Sequence, residues 1–260
     1  MIIETKVIDN IPLTTYELKT NEIKPLIFFF HGFTSNKDLG IMGRGEELAK
    51  LGFYVVAIDA YLHGERMPEW FKQLKNEDKY QYIVDIEIET AKNAKSLFEN
   101  YFINQSNIIK DKYYAYGVSM GAATTFYLST IDQNLEAAVT LVGSPSFVEY
   151  YKKRKQLFNW GDEITNKRLN EYKEHDPLLN SDRFKQTKLF VAVGLNDNVV
   201  NPIWAKKLFK KIPKQIVFKE YDTGHESTEE MLNDSYSFIK QYVKNVEEEN
   251  GKIWCCSCGW

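Results

Sequence analysis

A serine flanked by two glycines, in Gly117-Val118-Ser119-Met120-Gly121, constrains the fold of this chain more than any other feature. An apolar run (113–116) precedes it and a helix-like run (122–130) follows it, which predicts a strand, a tight turn and a helix with the serine at the apex. Glycine suits both flanking positions because a side chain there would strike neighbouring backbone. A serine hydroxyl held out of a sheet in this way becomes a useful nucleophile when a base lies beside it.

A base and an acid for Ser119 are found later in the chain. His225 lies in a loop after the apolar run 216–218, and we predict that it is the general base. The apolar run 189–193 leads to Asp197, whose carboxylate would hold the imidazole in one tautomer. The candidate catalytic residues are therefore Ser119, Asp197 and His225.

Backbone donors for a developing oxyanion are predicted after an early buried strand. The apolar run 26–30 is followed by Gly32 and Phe33, and the glycine lets the chain turn so that a backbone N–H points into the site. We predict the N–H of Phe33 as one donor, with that of Gly32 as the alternative. The N–H of Met120, the residue after the nucleophile, is predicted as the other.

With these residues the sequence resembles the α/β-hydrolase family. Within that family it resembles the branch of small esterases and prolyl-oligopeptidase-like enzymes. The order Ser119, Asp197, His225 is the order of that family. The segments that carry the resemblance are His31-Gly32-Phe33, Asp59-Ala60-Tyr61-Leu62-His63-Gly64-Glu65-Arg66, Gly117-Val118-Ser119-Met120-Gly121, Gly194-Leu195-Asn196-Asp197 and Gly224-His225. The resemblance implies an α/β fold with a mostly parallel eight-stranded sheet, helices on both faces, and hydrolysis of esters, thioesters or amides.

Apolar and helical patterns alternate along the chain, as expected for parallel strands joined by helices. The predicted strands are 2–8, 11–18, 26–31, 53–59, 112–117, 135–142, 188–194 and 215–221, the first two forming a hairpin. The predicted helices are 41–51, 77–102, 119–131 and 227–246. We assign residues 1–250 to one α/β-hydrolase domain, because α/β folds of this size often stay undivided.

Residues 144–186 are more than one crossover helix requires, and we predict that they form a small helical cap over the active site. Phe147, Tyr151 and Trp160 lie in this segment, and Trp70 lies in an earlier loop. We predict that these four aromatic residues line a substrate pocket. The alternative, that they only anchor the segment to the sheet, is equally compatible with the sequence.

The bulk properties argue against several other classes of protein. A net charge of −3 does not favour nucleic acid or an anionic membrane as a partner. The N-terminus lacks a signal-peptide pattern and no apolar run is long enough to span a bilayer, so we expect a cytoplasmic protein. We expect no cofactor and no metal ion. The expected partner is a small acyl ester, and the oligomeric state is left open.

All three cysteines, Cys255, Cys256 and Cys258, lie in the last six residues. A disulfide framework in the body of the chain is therefore not expected. We predict that residues 251–260 are a disordered end or a non-native segment such as a cloning or frameshift scar. A metal site is disfavoured there because the spacing is tight and no histidine is near.

Three functions are compatible with these features. The first is a serine hydrolase of the carboxylesterase type, which cleaves small to medium carboxylic esters, or thioesters, through an acyl-enzyme. The second is a serine peptidase of the prolyl-oligopeptidase type, although the β-propeller that usually accompanies such enzymes is not expected here. The third is a non-catalytic binding protein on a hydrolase scaffold, which the presence of all three candidate catalytic residues disfavours.

Overall fold

The computed structural model describes the backbone of residues 1–256 and the side chains of residues 1–243 except that of Ile164. Its strands are β1 (Ile2–Ile8), β2 (Ile11–Glu17), β3 (Lys24–Phe30), β4 (Tyr54–Ile58), β5 (Ile108–Val118), β6 (Leu135–Leu141), β7 (Lys188–Gly194) and β8 (Ile216–Tyr221). They form one eight-stranded sheet in the order β1-β2-β4-β3-β5-β6-β7-β8. The β1–β2 and β2–β4 pairs are antiparallel and the others are parallel, so the mostly parallel sheet expected from the sequence is present.

The helices are α1 (Lys37–Ile41), α2 (Arg44–Lys50), α3 (Glu69–Lys72), α4 (Asn76–Lys79), α5 (Ile83–Asn100), α6 (Met120–Ile131), α7 (Phe147–Phe158), α8 (Asp162–His175), α9 (Ile203–Lys211) and α10 (Glu229–Cys256). None of them, within the described residues, is long and apolar enough to cross a membrane. The final helix extends to Cys256, which includes six residues of the segment predicted to be disordered or non-native. The rest of that segment, 257–260, lies outside the described residues.

Two helix predictions were wrong in detail. The predicted helix 41–51 is observed only as α2, because Gly43, with a φ of 73°, separates α2 from α1, which ends at Ile41. The predicted helix 77–102 is interrupted by a 3₁₀ turn at Tyr80–Tyr82. There Tyr80 stacks on Phe33 while Tyr82 packs on Trp70. The short helix α9 was missed altogether.

The core lies on both faces of the sheet, because the central strands carry apolar residues on both sides. In β3, Phe28 and Phe30 contribute to the core under α5 and α6, whereas Ile27 and Phe29 face the core under α2 and α10. Burial on both faces explains why β3 reads as a continuous apolar run rather than an alternating one. The parallel strands end at one edge, which brings together the loops after β3, β5, β7 and β8.

Residues 144–186 contain α7 and α8, which pack together and reach the segment where α5 begins. The guanidinium of Arg154 on α7 lies 4.5 Å from the ring centroid of Tyr80. On α8, Arg168 Nη1 donates a 2.9 Å hydrogen bond to the Asp85 carboxylate. Both cationic side chains therefore join the inserted helices to the start of α5.

Candidate active site

Ser119 lies at the sharp turn between β5 and α6. Its backbone angles, φ 56° and ψ −114°, are strained for a residue with a side chain. A Cβ on Gly117 would lie 2.1 Å from the carbonyl oxygen of Gly121, and a Cβ on Gly121 would lie 2.0 Å from that of Phe30. Because neither glycine has room for a methyl group, the turn can close tightly enough to hold the serine at its apex.

The side chains of Ser119, His225 and Asp197 form a continuous chain of hydrogen bonds. Ser119 Oγ lies 2.8 Å from His225 Nε2, and His225 Nδ1 lies 2.7 Å from Asp197 Oδ2. With Nδ1–H donating to the carboxylate, Nε2 is free to accept the proton of the serine hydroxyl. The arrangement can therefore remove that proton as the oxygen attacks an electrophile.

The Asp197 carboxylate is held by backbone as well as by the imidazole. Its Oδ1 accepts hydrogen bonds from the N–H groups of Val199 and Val200, at 2.9 and 2.8 Å. The neighbouring acid Asp222 instead accepts from the Asn196 side chain at 2.8 Å and orders that loop. Asp197 is thus the carboxylate that the fold aims at His225.

The loop after β3 approaches the serine closely. A Cβ on Gly32 would lie 3.7 Å from the Cβ of Ser119, so the backbone of this loop borders the nucleophile. Within the described residues, no acceptor takes the backbone N–H of Phe33 or that of Met120. Both donors remain available for an oxyanion, which is what the prediction for Phe33 and Met120 requires.

Two further histidines lie near this edge but are bonded to backbone. His31 Nδ1 donates to the carbonyl of Gly32 at 2.8 Å, and its Nε2 accepts the N–H of Ala60 at 3.1 Å. His63 Nδ1 bonds the carbonyl of Tyr61 at 3.1 Å. Burial lowers the pKa of each imidazole to about 4, so both rings are neutral at pH 7. Within the described residues, neither ring has a hydrogen bond to Ser119, and the bonds to backbone order the loops.

A cavity of about 10 Å³, space for roughly one water molecule, adjoins Ser119. The residues that line it are Ile83, Glu87, Ser119, Met120, Ala123, Ser144, Ser146, Phe147, Tyr150 and Val200. Only Phe147, of the four aromatic residues predicted to bind substrate, is among them.

The other three predicted pocket residues pack elsewhere. Tyr151 is buried between Trp160 and Tyr172, with ring centroids 5.3 and 5.1 Å away, inside the inserted helices. Trp70 is 49% exposed and packs edge-on against Phe71. Tyr151 and Trp160 thus pack within the inserted helices, and their part in a substrate pocket stays a prediction.

A match to a known protein family decides the assignment of the chain. The model of the prolyl oligopeptidase family matches residues 44–246. This chain belongs to that family. The Bacillus subtilis (strain 168) protein named "Putative esterase YitV" is similar at 27% identity over 219 residues, which are 81% of this chain and 84% of that protein.

Solved structures similar to this prolyl oligopeptidase family member share its fold. TT1662 from Thermus thermophilus has a TM-score of 0.66 at 16% identity, over 94% of this chain and 99% of that chain. The Pyrococcus furiosus esterase Pf2001 has a TM-score of 0.63 at 17% identity, over 94% of this chain and 93% of that chain. The fold is the α/β-hydrolase fold, as the sequence predicted, and the family to which the chain belongs is a family of hydrolases.

The sequence reasoning missed Glu87 and Tyr150 as residues beside the serine. Glu87 is 3% exposed, and it lies on the buried face of α5 with Ile83 one turn before it. A carboxylate inside an otherwise apolar helical stripe was the signal available in the sequence. Tyr150 is one turn after Phe147 on α7, but a tyrosine in an aromatic-rich segment is too common to stand out.

Proposed function

We propose that this member of the prolyl oligopeptidase family is a serine hydrolase that cleaves small carboxylic esters, or thioesters, through an acyl-enzyme. One observation carries the proposal: the chain of hydrogen bonds from Ser119 Oγ to His225 at 2.8 Å and from His225 to Asp197 at 2.7 Å. A hydroxyl, an imidazole and a buried carboxylate in this order are the groups that acyl transfer by serine requires.

In the first half-reaction, Ser119 Oγ attacks the acyl carbon while His225 Nε2 takes its proton. Asp197 keeps the imidazole oriented and stabilises the imidazolium. The N–H groups of Phe33 and Met120 hold the oxyanion of the tetrahedral intermediate. The imidazolium then protonates the departing alcohol or thiol, and the acyl group stays on Ser119 as an ester.

The second half-reaction repeats these steps with water. His225 Nε2 takes a proton from water as its oxygen attacks the acyl carbon, and the same two N–H groups hold the new oxyanion. Collapse of this intermediate returns the proton to Ser119 Oγ and releases the carboxylic acid. About a fifth of the His225 side chain is exposed (21%), which allows water to reach it.

The size of the cavity favours a small acyl group. At about 10 Å³ it has room for little beyond one small group. Phe147 and Tyr150 of α7 limit it on one side, and Lys153 of the same helix donates a 2.7 Å hydrogen bond to the carbonyl of Asn198, next to Asp197. We therefore also propose that residues 144–186 cap this site. We further propose that residues 1–250 form one domain and that the protein is cytoplasmic.

A serine peptidase is the second candidate, because the matching family is named for an oligopeptidase. The same three residues would serve that reaction, with an amine as the leaving group. Relative turnover of p-nitrophenyl acetate, p-nitrophenyl butyrate and aminoacyl anilides separates the two candidates. We expect acetate to be the best of these substrates. Turnover of anilides but not esters would refute the esterase proposal.

The nucleophile is tested separately with a fluorophosphonate probe. The probe should label Ser119 in the wild-type chain and leave a Ser119→Ala variant unlabelled. Labelling of a different serine, or none in a folded and ester-cleaving protein, would contradict the assignment.

A further inference from the structure

Glu87 is the one polar side chain of the cavity that the structure leaves without a partner among the described residues. Ser119 Oγ is bonded to His225, Ser144 Oγ donates to the carbonyl of Ser146 at 3.1 Å, and Ser146 Oγ donates to Asp176 at 2.9 Å. The Tyr150 hydroxyl accepts from Arg154 at 2.9 Å. Glu87 is 3% exposed, and its carboxyl group makes no hydrogen bond or ion pair within the described residues.

Such a group is costly to bury, so its place needs a reason. Burial, with the negative Asp85 nearby, raises the pKa of Glu87 well above its usual range. This shift favours the neutral carboxylic acid, which has one O–H donor and a carbonyl acceptor. Neither has a hydrogen-bond partner among the described residues, and the nearby Tyr150 hydroxyl interacts with the carboxyl only electrostatically.

In the proposed reaction, the lining of the cavity favours the acyl part of a substrate over the leaving group. Ser119 and Met120, which hold the nucleophilic oxygen and one predicted oxyanion donor, line it. His225, which must protonate the leaving group, does not. A substituent on the acyl carbon would thus point toward Glu87.

We propose that Glu87 is a binding residue for a small acyl group that carries a hydroxyl, so that the preferred substrates are esters of short hydroxy acids. This inference rests on the proposed function and names its substrate class. A hydroxyl is both donor and acceptor and can pair with both functions of the carboxylic acid. A methyl group of the same size leaves the carboxyl unpaired and is disfavoured for that reason.

Methyl glycolate, methyl propionate and glycine methyl ester test this, because their acyl groups differ mainly in a terminal hydroxyl, methyl or ammonium group. The quantity measured is the ratio of kcat/KM for glycolate to that for propionate. Comparison of this ratio between variants cancels the different intrinsic reactivities of the esters. We expect Glu87→Leu to lower the ratio about tenfold, the effect of one to two hydrogen bonds.

Two variants serve as controls. Glu87→Gln keeps a donor and an acceptor without an ionisable group and should keep the ratio within about threefold of wild type. Glu99→Leu, a carboxylate on the same helix but 41% exposed and bonded to Lys95, should leave it unchanged. Circular dichroism and thermal melting verify that each variant is folded.

An unchanged ratio in folded Glu87→Leu would overturn the inference while leaving the esterase proposal intact. So would a preference for glycine methyl ester that Glu87→Gln abolishes, since that would mean that the carboxylate binds a cation. If wild-type protein cleaves none of these esters and no p-nitrophenyl acetate, the proposed function fails and the inference fails with it.

Discussion

Two carboxyl groups are buried beside the candidate nucleophile, and their surroundings are opposite. Asp197, 8% exposed, accepts hydrogen bonds from the N–H groups of Val199 and Val200 and bonds His225. Glu87, 3% exposed, has no partner among the described residues. The two side chains have nearly the same chemistry and burial, and they differ in whether the fold supplies donors.

The difference separates a group that the fold positions from a group that the fold leaves available. Backbone donors fix Asp197, so that it can hold the imidazole in one orientation. A buried carboxyl group without a hydrogen-bond partner, such as that of Glu87, lowers the stability of the folded protein. Buried polar groups of this kind are expected at functional sites. The following experiments test each half of this comparison, from the largest expected effect to the smallest.

Removal of the nucleophile sets the scale for the comparison. We expect Ser119→Ala to lower kcat for p-nitrophenyl acetate by about 10⁶-fold, as in a well-studied serine hydrolase. Alanine keeps the Cβ and the same backbone angles, so the fold should be unchanged, which circular dichroism checks. A folded variant that retains most of its activity would show that the nucleophile is another group.

The partnered carboxylate should have the next largest effect. Asp197→Asn keeps the size of the side chain but replaces an acceptor oxygen with an amide, which favours the wrong tautomer of His225. We expect kcat to fall about 10⁴-fold, as in the equivalent change in a well-studied serine protease.

The matched control is Asp222→Asn. Asp222 lies three residues before His225, and among the described side chains it is hydrogen-bonded only to that of Asn196. Its kcat should remain close to that of the wild type. Equal losses in the two variants would mean that the loop, rather than the Asp197 carboxylate, supports the imidazole.

The sequence predicted the sheet and the convergence of the three catalytic candidates, because both depend on local patterns. Continuous apolar runs mark buried parallel strands, and the carboxyl ends of such strands meet at one edge. The residues directly after β5, β7 and β8 were therefore bound to lie close together. The roles of Ser119, Asp197 and His225 as catalytic residues stay a prediction until they are tested.

The pocket could not be predicted in the same way. Its walls come from α5, α6 and α7, and how α7 lies against α5 depends on tertiary contacts such as that of Arg154 with Tyr80. Periodicity shows which face of a helix is buried but not what that face meets. The sequence could therefore not show that Trp160 and Tyr151 pack on each other, and their part in substrate binding stays a prediction.

His63 is a buried titratable group that has a hydrogen-bond partner, and its pKa can be tested through the pH dependence of the free energy of unfolding. His63 has a folded pKa of about 4, lowered chiefly by burial and also by His31 and Lys79, with Asp59 acting in the opposite direction. The unfolded ring takes up a proton near its ordinary pKa of about 6.5. The stability that His63 contributes is therefore present above about pH 6.5 and is lost as the pH falls toward 4.

We expect this loss to be about 2 kcal/mol between pH 7 and pH 5 for one such histidine. His63→Phe keeps the ring contacts with Phe33 and Phe71 and removes the titration. Urea unfolding at a series of pH values should show a shallower slope in the variant, with His31 responsible for part of what remains. An identical slope would mean that His63 is protonated in the folded protein above pH 5.

The smallest expected effect is the change in the free energy of unfolding caused by Glu87→Leu. The sign of this change distinguishes a carboxyl group without a partner from one with a partner. Leucine is close to glutamate in size, and replacement of an unpaired buried polar group by an apolar one removes a desolvation cost. We expect Glu87→Leu to raise the free energy of unfolding by about 1 kcal/mol, whereas Glu99→Leu on the exposed part of α5 should give no gain. Urea unfolding of both variants at pH 7 measures the difference. A loss of stability in Glu87→Leu would mean that the carboxyl already has a stabilising partner in the folded protein, and the contrast with Asp197 would then disappear.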